Sequence, residues 1–366
     1  LIAGDFIAVN DSVLEEFNPA NINYVELFII VMEKLFEMAE TEKIEIRTSL
    51  LKSIQDWVNS EDIKKVKELA GKVEVEAGTE ANLSAWFAKF FAKVRLQSNA
   101  SFSTKKTITE IVEHRLSELI AHCNDLIREV KLQLPSINKK GLVLIIEDLD
   151  KLSVEKAEEL FFNHSHTLTS LQTNVIFTFP ISLQHHPKSN IIKGNFDENY
   201  ELPMIKVKTK ERKPYEKGRK QLYDVLHKRI GQKYFKDEAL IYQFIDLSGG
   251  CIRDLFRLVR DAHANARIMR KKEIIEKVDF KKAYFKLKRN YENTIAEKRI
   301  DNKTIISVEE YYAVLEKVAK SPNKKTDNTE AALDLRQNLC ILGYNGEGWC
   351  DVHPVVLDIL KERELP

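Results

Sequence analysis

Three carboxylates follow directly on a short apolar run. Glu147, Asp148 and Asp150 come after residues 142–146, which read Leu-Val-Leu-Ile-Ile. A run of this length with polar residues on both sides is typical of a buried parallel strand. Ligands of α/β sheets bind beyond the carboxyl ends of the strands, where such acids could hold Mg²⁺ and polarise an attacking water. The alternative is a core strand followed by a solvated acidic turn, and the motif alone favours neither.

Two further polar residues are candidates for a binding site. Thr178 lies near the end of a second apolar run, 174–179, where its hydroxyl could donate a hydrogen bond to a ligand. The alternative is a threonine that is satisfied within the sheet. Arg253 follows a Gly-Gly pair at the start of a predicted helix, and its guanidinium could bind an anion. The alternative is a surface arginine paired with Asp254 or Asp261.

Strands and helices alternate around the acidic run. Apolar runs predict strands over 6–10, 142–147, 174–180 and 202–207. Helical spacing dominates between the first two of these, over 22–38, 43–70, 84–96 and 108–134. A further helix begins after Ser153, which has the side chain of an N-cap. The succession of strand, helix and strand predicts βαβ connections and a parallel sheet.

The second half of the chain is predicted to begin with helices and to end with two shorter helices and a hairpin. Helices are predicted over 218–230, 237–246 and 252–269, and a highly charged connector over 271–303. Helices over 308–319 and 329–335 then precede two apolar runs on either side of an Asn-Gly turn, which indicates a hairpin. A helix-turn-helix followed by a β-hairpin is the winged-helix pattern.

Composition restricts the class of protein. The 366 residues carry a net charge of +1, but residues 206–300 hold 27 Lys and Arg against 13 Asp and Glu. This basic segment indicates contact with polyanions, although solvated helix faces would account for most of its lysines. No apolar run approaches the ~18 residues that span a bilayer, so no membrane partner is expected. Four cysteines without C-x-x-C spacing indicate reduced thiols and a cytoplasmic location.

Three motifs in this order resemble those of the AAA+/STAND group of P-loop ATPases, in particular its origin-recognition-like and KAP-like branches. Residues 142–152 are similar to a Walker B motif, 174–183 to a sensor 1 strand and 248–255 to a sensor 2 motif. The resemblance implies an α/β fold: a P-loop NTPase parallel sheet with a helical lid and a C-terminal winged-helix domain. The resemblance also implies three domains. They are an α/β nucleotide-binding core with a helical insertion over 1–207, a lid over 208–300 and a winged helix over 301–366.

The same resemblance implies ATP and Mg²⁺ as cofactors and gives each residue a role. Glu147 would face Mg²⁺, Asp148 would orient the attacking water, and Thr178 and Arg253 would sense the γ-phosphate between the core and the lid. Asp150 would cap the next helix or bind a lid residue. The two acids stand in the reverse of the family's usual order, and the shorter side chain at the catalytic position implies slow hydrolysis.

Two features of the family are not found in the sequence. No G-x-x-x-x-G-K-[ST] motif occurs among the 366 residues. Because residues 6–10 match the family's second strand, this phosphate-binding loop is expected upstream of Leu1, and a degenerate pseudo-ATPase is the alternative. No arginine lies between the acidic run and Arg212. An arginine finger would therefore come from Arg212, Arg219 or Arg229, or be absent.

These features predict an ATP-binding, slowly hydrolysing conformational switch that regulates a DNA or protein partner. Family members in bacteria often regulate an effector in antiphage defence, which implies a homo-oligomer or an effector-protein partner here. The alternative is a DNA-binding module or an effector-assembly scaffold with a vestigial ATPase fold. In that case Lys324, Lys325 and Arg336 of the winged-helix segment would contact phosphates, although such a segment can equally dock a protein.

Overall fold

A computed structural model describes most of the chain and divides it into two compact units. The described residues are 4–12, 22–70, 83–98, 101–300, 303–321, 325–344 and 349–363. The first unit comprises Leu1–Leu183 with Lys188–Asn199, and the second comprises Gln184–Pro187 with Tyr200–Pro366. The predicted lid and winged-helix segments thus fall within one unit, and their separation stays a prediction. In the described ranges, no helix has both the length and the apolar composition needed to cross a bilayer.

The first part of the chain is a mixed α/β structure. Its strands are β1 (Phe6–Ser12), β2 (Gly141–Glu147) and β3 (Asn174–Phe177). The helices before β2 are α1 (Tyr24–Thr41), α2 (Thr48–Val58), α3 (Glu61–Ala70), α4 (Leu83–Ser98), α5 (Phe102–His114) and α6 (Leu116–Gln133). The short helices up to residue 195 are α7 (Val154–Glu158), α8 (Ser165–Leu168), α9 (Ile181–Gln184) and α10 (Ser189–Asn195).

The three strands form one parallel sheet in the order β1-β2-β3. In its register Ser12 lies opposite Glu147, and Ile146 lies opposite both Asp11 and Phe177. All three strands therefore present their carboxyl ends at the same edge of the sheet. The predicted parallel α/β arrangement is confirmed, with the acidic strand in the middle.

The strand predicted over 202–207 does not form, and this prediction is wrong. Met204 makes a single isolated bridge with Tyr344 in the second unit. The Met204 N–H donates to Gly343 O at 2.9 Å and the Ile205 N–H donates to Gly250 O at 3.3 Å. Because its backbone bonds go to two different partners, the segment cannot continue as a ladder along one neighbouring strand.

Helix α1 is the centre of the first unit's core. It begins at a capping box, in which Asn23 Oδ1 accepts from the Glu26 N–H and Glu26 Oε2 accepts from the Asn23 N–H, both at 3.0 Å. Two acids of this helix are buried, and each is paired. Glu26 lies 2.8 Å from Lys105, and Glu33 accepts two bonds from Arg95, at 2.8 and 2.9 Å. These pairs join α1 to α5 and α4, since a buried carboxylate is tolerated only with such a partner.

The second unit is mostly helical. Its helices are α11 (Glu216–Arg229), α12 (Glu238–Leu247), α13 (Ile252–Met269), α14 (Lys277–Thr294), α15 (Val308–Lys320), α16 (Glu330–Gln337) and α17 (Pro354–Arg363). Two antiparallel pairs of strands accompany them, β4 (Lys298–Ile300) with β5 (Lys303–Ile306) and β6 (Ile341–Tyr344) with β7 (Trp349–Val352). The predicted charged connector is thus largely a helix. Apolar residues at helical spacing, Ala283, Leu287 and Tyr291, bury one face of α14.

A buried cluster of Asp254, Tyr291 and His353 joins three segments of this unit. The Tyr291 hydroxyl donates to Asp254 Oδ2 at 2.5 Å, and His353 Nε2 lies 3.4 Å from the same oxygen. His353 Nδ1 accepts from the Val355 N–H at 3.2 Å, which requires that nitrogen to be unprotonated. Burial lowers the pKa of His353, and the neutral ring links the start of α17 to α13 and α14.

We expect this cluster to make the second unit less stable as the pH falls. The pKa of His353 is lower in the folded protein than its ordinary value of 6.5, so below pH 6.5 the unfolded chain binds a proton that the folded chain rejects. At pH 5.5 this difference in proton binding lowers the free energy of unfolding by up to about 1.4 kcal/mol. Burial also lowers the pKa of His185, to about 4, so this histidine likewise reduces the stability of the folded protein as the pH falls.

Urea unfolding of wild type and His353→Gln between pH 7.5 and 5.5 isolates the contribution of His353. The wild type should lose more stability over this range than the variant, because the glutamine does not titrate. An equal loss in both proteins would show that His353 is not held neutral by its surroundings.

Candidate functional site

The turn after β2 carries the two acids of the candidate site. Glu147 ends the strand and is exposed, and its carboxylate makes no hydrogen bond or ion pair with the described residues. Asp148 follows with φ 70° and ψ 1°, in the left-handed region. Few residues other than glycine adopt this conformation, and they are concentrated in turns and at functional sites. It bends the chain sharply into a short 3₁₀ turn, Leu149–Lys151, whose first residue is buried.

The carboxylate of Asp148 is held by two neighbours. The Ser12 hydroxyl at the end of β1 donates to one of its oxygens, and the Lys151 ammonium donates to the other. These bonds, the one from Lys151 above all, lower the pKa of Asp148, so the carboxylate is ionised at neutral pH. Lys151 is 44% exposed, and its ammonium can leave Asp148 for solvent without a large cost.

Thr178 connects the third strand to the same turn. Its N–H donates to Ile146 O at 3.1 Å, which extends the pairing of β3 with β2 by one bond. Its Oγ1 accepts from the N–H of Leu149 at 3.1 Å. The hydroxyl keeps its own proton for donation, because accepting a bond leaves the O–H free. Thr178 thus has a structural bond to the acidic turn and a remaining donor at the edge of the sheet.

Sequence reasoning missed Asp11 and Ser12 at the end of β1. Asp11 is 7% exposed, and one of its oxygens lies 3.7 Å from Lys34 Nζ. Its Oδ2 is buried and has no hydrogen-bond partner among the described residues, and burial raises the pKa of this carboxyl. The signal was the change from apolar to polar residues after residue 9, since an acid and a hydroxyl there must lie beside the acids of β2 in a parallel sheet.

The oxygen donors at this edge match the chemistry of Mg²⁺. Carboxylates come from Glu147 and Asp148 and hydroxyls from Ser12 and Thr178, all of them hard ligands. Within the described ranges, no three acidic, cysteine or histidine side chains are grouped so as to hold a metal. Mg²⁺ commonly binds through one or two carboxylates together with substrate phosphates and water, and the residues here fit that mode of binding.

The described strands do not form the crevice in which α/β sheets usually bind a ligand. Their order follows the chain order, so they contain no point at which the order reverses, and ligands of such sheets bind at that point. The outer edge of β3 has no partner strand in the described part of the chain, and Ile176 is 48% exposed.

Arg253 belongs to the second unit and is the second residue of α13. Its side chain is exposed and makes no ion pair with the residues that the structure describes. Neither acid considered as its partner takes that role. Asp254 is bound by Arg257 at 3.3 Å and by Tyr291, and Asp261 lies 3.1 Å from Lys286. The guanidinium of Arg253 is therefore available to an anion.

The three residues predicted to bind nucleic acid differ in their exposure to solvent. Lys324 lies outside the described residues, and Lys325 is exposed. Arg336 is 7% exposed, and its guanidinium lies 3.7 Å from Cys350 Sγ and 3.4 Å from His185 Nε2. These contacts give Arg336 a place in the packing of the second unit, and its contact with phosphates stays a prediction.

No family model, curated protein or solved structure matches this chain. The residues of the site and their contacts are therefore what indicates its function.

Thr178→Val should loosen the acidic turn without disturbing the strand. Valine has nearly the same shape as threonine but cannot accept the bond from the Leu149 N–H, and a buried donor without a partner costs about 1–3 kcal/mol. We expect amide exchange at Leu149, followed by NMR, to become about 5- to 150-fold faster. Thr178→Ser keeps the acceptor and serves as the control. Equal protection of Leu149 in the valine variant would contradict the assigned bond.

Proposed function

We propose that the carboxyl edge of the sheet binds ATP with Mg²⁺, and that the protein is a slowly hydrolysing conformational switch. One observation carries the proposal: the Thr178 hydroxyl of the outer strand contacts the Leu149 N–H, 3.1 Å away, in the turn that carries Glu147 and Asp148. A polar residue of a neighbouring strand and two acids of the central strand are thus held together at one edge of a parallel sheet. This is the arrangement that the resemblance to AAA+/STAND ATPases implies.

Each residue at the edge has a task that its surroundings support. Glu147 is exposed and unpaired in the described structure, so its carboxylate would hold Mg²⁺ directly or through water. Bound Mg²⁺ would neutralise charge on the phosphates. The Thr178 hydroxyl has a proton to donate to a phosphate oxygen or to the attacking water. Asp148 is ionised and would accept a hydrogen bond from that water and orient it.

The contacts of Asp148 support slow hydrolysis. Both of its oxygens already accept bonds, one from Ser12 and one from Lys151. Each oxygen keeps a second lone pair, so the attacking water would share Asp148 with these two donors, and the same donors lower the basicity of the carboxylate. A weakly basic carboxylate is a poor acceptor for the proton of the water, which favours a slowly hydrolysing switch over a rapid motor.

The second unit supplies features that suit the response to nucleotide. Arg253 offers an unpaired guanidinium at the start of α13, where it would bind the γ-phosphate. The order of α15, α16 and the β6–β7 hairpin is the order of the predicted winged-helix pattern, which supports an output to DNA or to a protein. The family resemblance extends the proposal to an effector partner in antiphage defence.

Binding of ATP in the presence of Mg²⁺ tests the proposal in full-length protein. Glu147→Ala and Arg253→Ala together should weaken Mg²⁺-dependent binding of a labelled ATP analogue at least 10-fold, because each removes a charged contact worth about 1.5–3 kcal/mol. Glu110→Ala with Arg128→Ala removes the same two residue types from exposed helix positions and should leave the affinity unchanged.

Two results would contradict the proposed site. The first is an affinity that the paired Glu147 and Arg253 substitutions leave unaltered. The second is a loss of affinity of the same size in the control protein, since it would show that overall charge and not this site determines binding.

A further inference from the structure

One face of α13 carries a row of arginines beside a groove. The groove lies in the second unit and has a volume of about 730 Å³. The residues of α13 that line it include Arg253, Phe256, Arg257, Arg260, His263 and Arg267. We call this surface the arginine groove. The four arginines are separated by four, three and seven residues, which places them on one side of the helix. They extend over about 21 Å of its length.

The positive charge of the arginine groove is poorly neutralised. Glu273 is the carboxylate among its lining residues. Arg257 lies 3.3 Å from Asp254 and Arg260 lies 3.6 Å from Asp261, but Arg260 is 73% exposed and Asp261 also pairs with Lys286. Like charges at positions three and four apart destabilise a helix, so this face is stabilised when an anion binds along it.

Two of the arginines have no ion-pair partner among the described residues. Arg253 and Arg267, at opposite ends of the row, are exposed and make no ion pair with any residue that the structure describes. Their separation of 14 residues, about 21 Å, exceeds the reach of a single phosphate group. A ligand that used the whole row would therefore be an extended anion with charges at intervals.

Aromatic and apolar side chains form the other part of the groove. Tyr234 lies edge-on to His263 with ring centroids 6.0 Å apart, and the Arg229 guanidinium lies 5.9 Å from the Phe256 ring. Ile230 and Ile275 line the groove beside them. Aromatic faces next to arginines are the combination on which the bases of an unpaired strand stack while its phosphates bind the cations.

We propose that the arginine groove binds single-stranded nucleic acid. Its phosphates would contact the arginines of α13, and a base would stack against Tyr234 or Phe256. A stacked strand rises about 3.4 Å per nucleotide, so the row covers several phosphates. A duplex would keep its bases away from the aromatic rings, and an acidic peptide would leave the rings unused. This site differs from the predicted contacts of Lys324, Lys325 and Arg336. Arg253 is shared with the proposed nucleotide site, but Arg257, Arg260 and Arg267 are not, so binding of a strand through these three does not require ATP.

Fluorescence anisotropy with labelled dT12 and rU12 tests the proposal, because neither strand folds on itself. Arg260→Ser with Arg267→Ser should weaken binding at least 10-fold and reduce the slope of log K against log salt by about 1.4, since each lost phosphate contact on a single strand removes about 0.7. The tested pair omits Arg253, so failure here is distinct from failure of the nucleotide site. A preference for dT12 or rU12 would identify the kind of strand, and binding of either supports the proposal.

The control removes two positive charges from the neighbouring helix. Lys281→Ser with Lys282→Ser changes exposed residues of α14 outside the groove and should alter affinity less than twofold. Tyr234→Leu, which keeps every charge, should also weaken binding. Three results would overturn the proposal: no binding at low salt, an equal effect of the arginine and lysine pairs, or tighter binding of a poly-glutamate peptide or a duplex than of either strand.

Discussion

The hydrogen bond from the Leu149 N–H to Thr178 Oγ1 determines the geometry of the candidate site. The left-handed conformation of Asp148 turns the chain directly after β2, and the next residue, Leu149, makes this bond. The same turn brings the Asp148 carboxylate to the Ser12 hydroxyl at the end of β1. The carboxyl ends of β1, β2 and β3 are thereby joined through two consecutive residues, Asp148 and Leu149. A site that must hold phosphate and metal needs this kind of fixed placement, since side chains positioned by rigid elements bind without a large ordering cost.

Paired and unpaired charges lie at different places in this protein. In the first unit the acids buried in α1 are neutralised by paired cations, as Glu33 is by Arg95, and these pairs hold helices together. At the sheet edge, by contrast, the buried Asp11 Oδ2 lacks a partner in the described structure and Glu147 is exposed. On α13 the arginines at the two ends of the row are likewise unpaired. Charge that has no partner in the described structure is available to a ligand, and both surfaces that we propose to bind one carry such charge.

Much of the fold could be predicted from local patterns. The parallel sheet followed from the apolar runs, Ser153 caps α7 by accepting from the Lys156 N–H at 3.3 Å, and α13 occupies Ile252–Met269 as expected. The wrong strand over 202–207 and the missed helix α14 have different causes. An apolar run indicates burial but not the partner for its backbone, and the high charge of α14 concealed the spacing of its few buried residues.

The site was predictable only in part, because its geometry depends on contacts between residues distant in sequence. The acids and Thr178 followed from their position after apolar runs. The bond between Thr178 and Leu149, the occupation of Asp148 by Ser12 and Lys151, and the burial of Arg336 depend on tertiary packing, and no local pattern specifies them. The arginine row of α13 was present in the sequence at helical spacing. It was overlooked because the basic charge was counted over a whole segment and not along one face.

Amide hydrogen exchange with and without Mg²⁺ and ATP tests the central claim most directly, since it reports on the acidic turn itself. Bound nucleotide should slow exchange in the segments around Leu149 and Thr178 by at least 10-fold, and omission of Mg²⁺ should remove most of that protection. Protection of another part of the chain at saturating ATP, with unchanged exchange at Leu149 and Thr178, would contradict the assignment of this edge of the sheet as the nucleotide site.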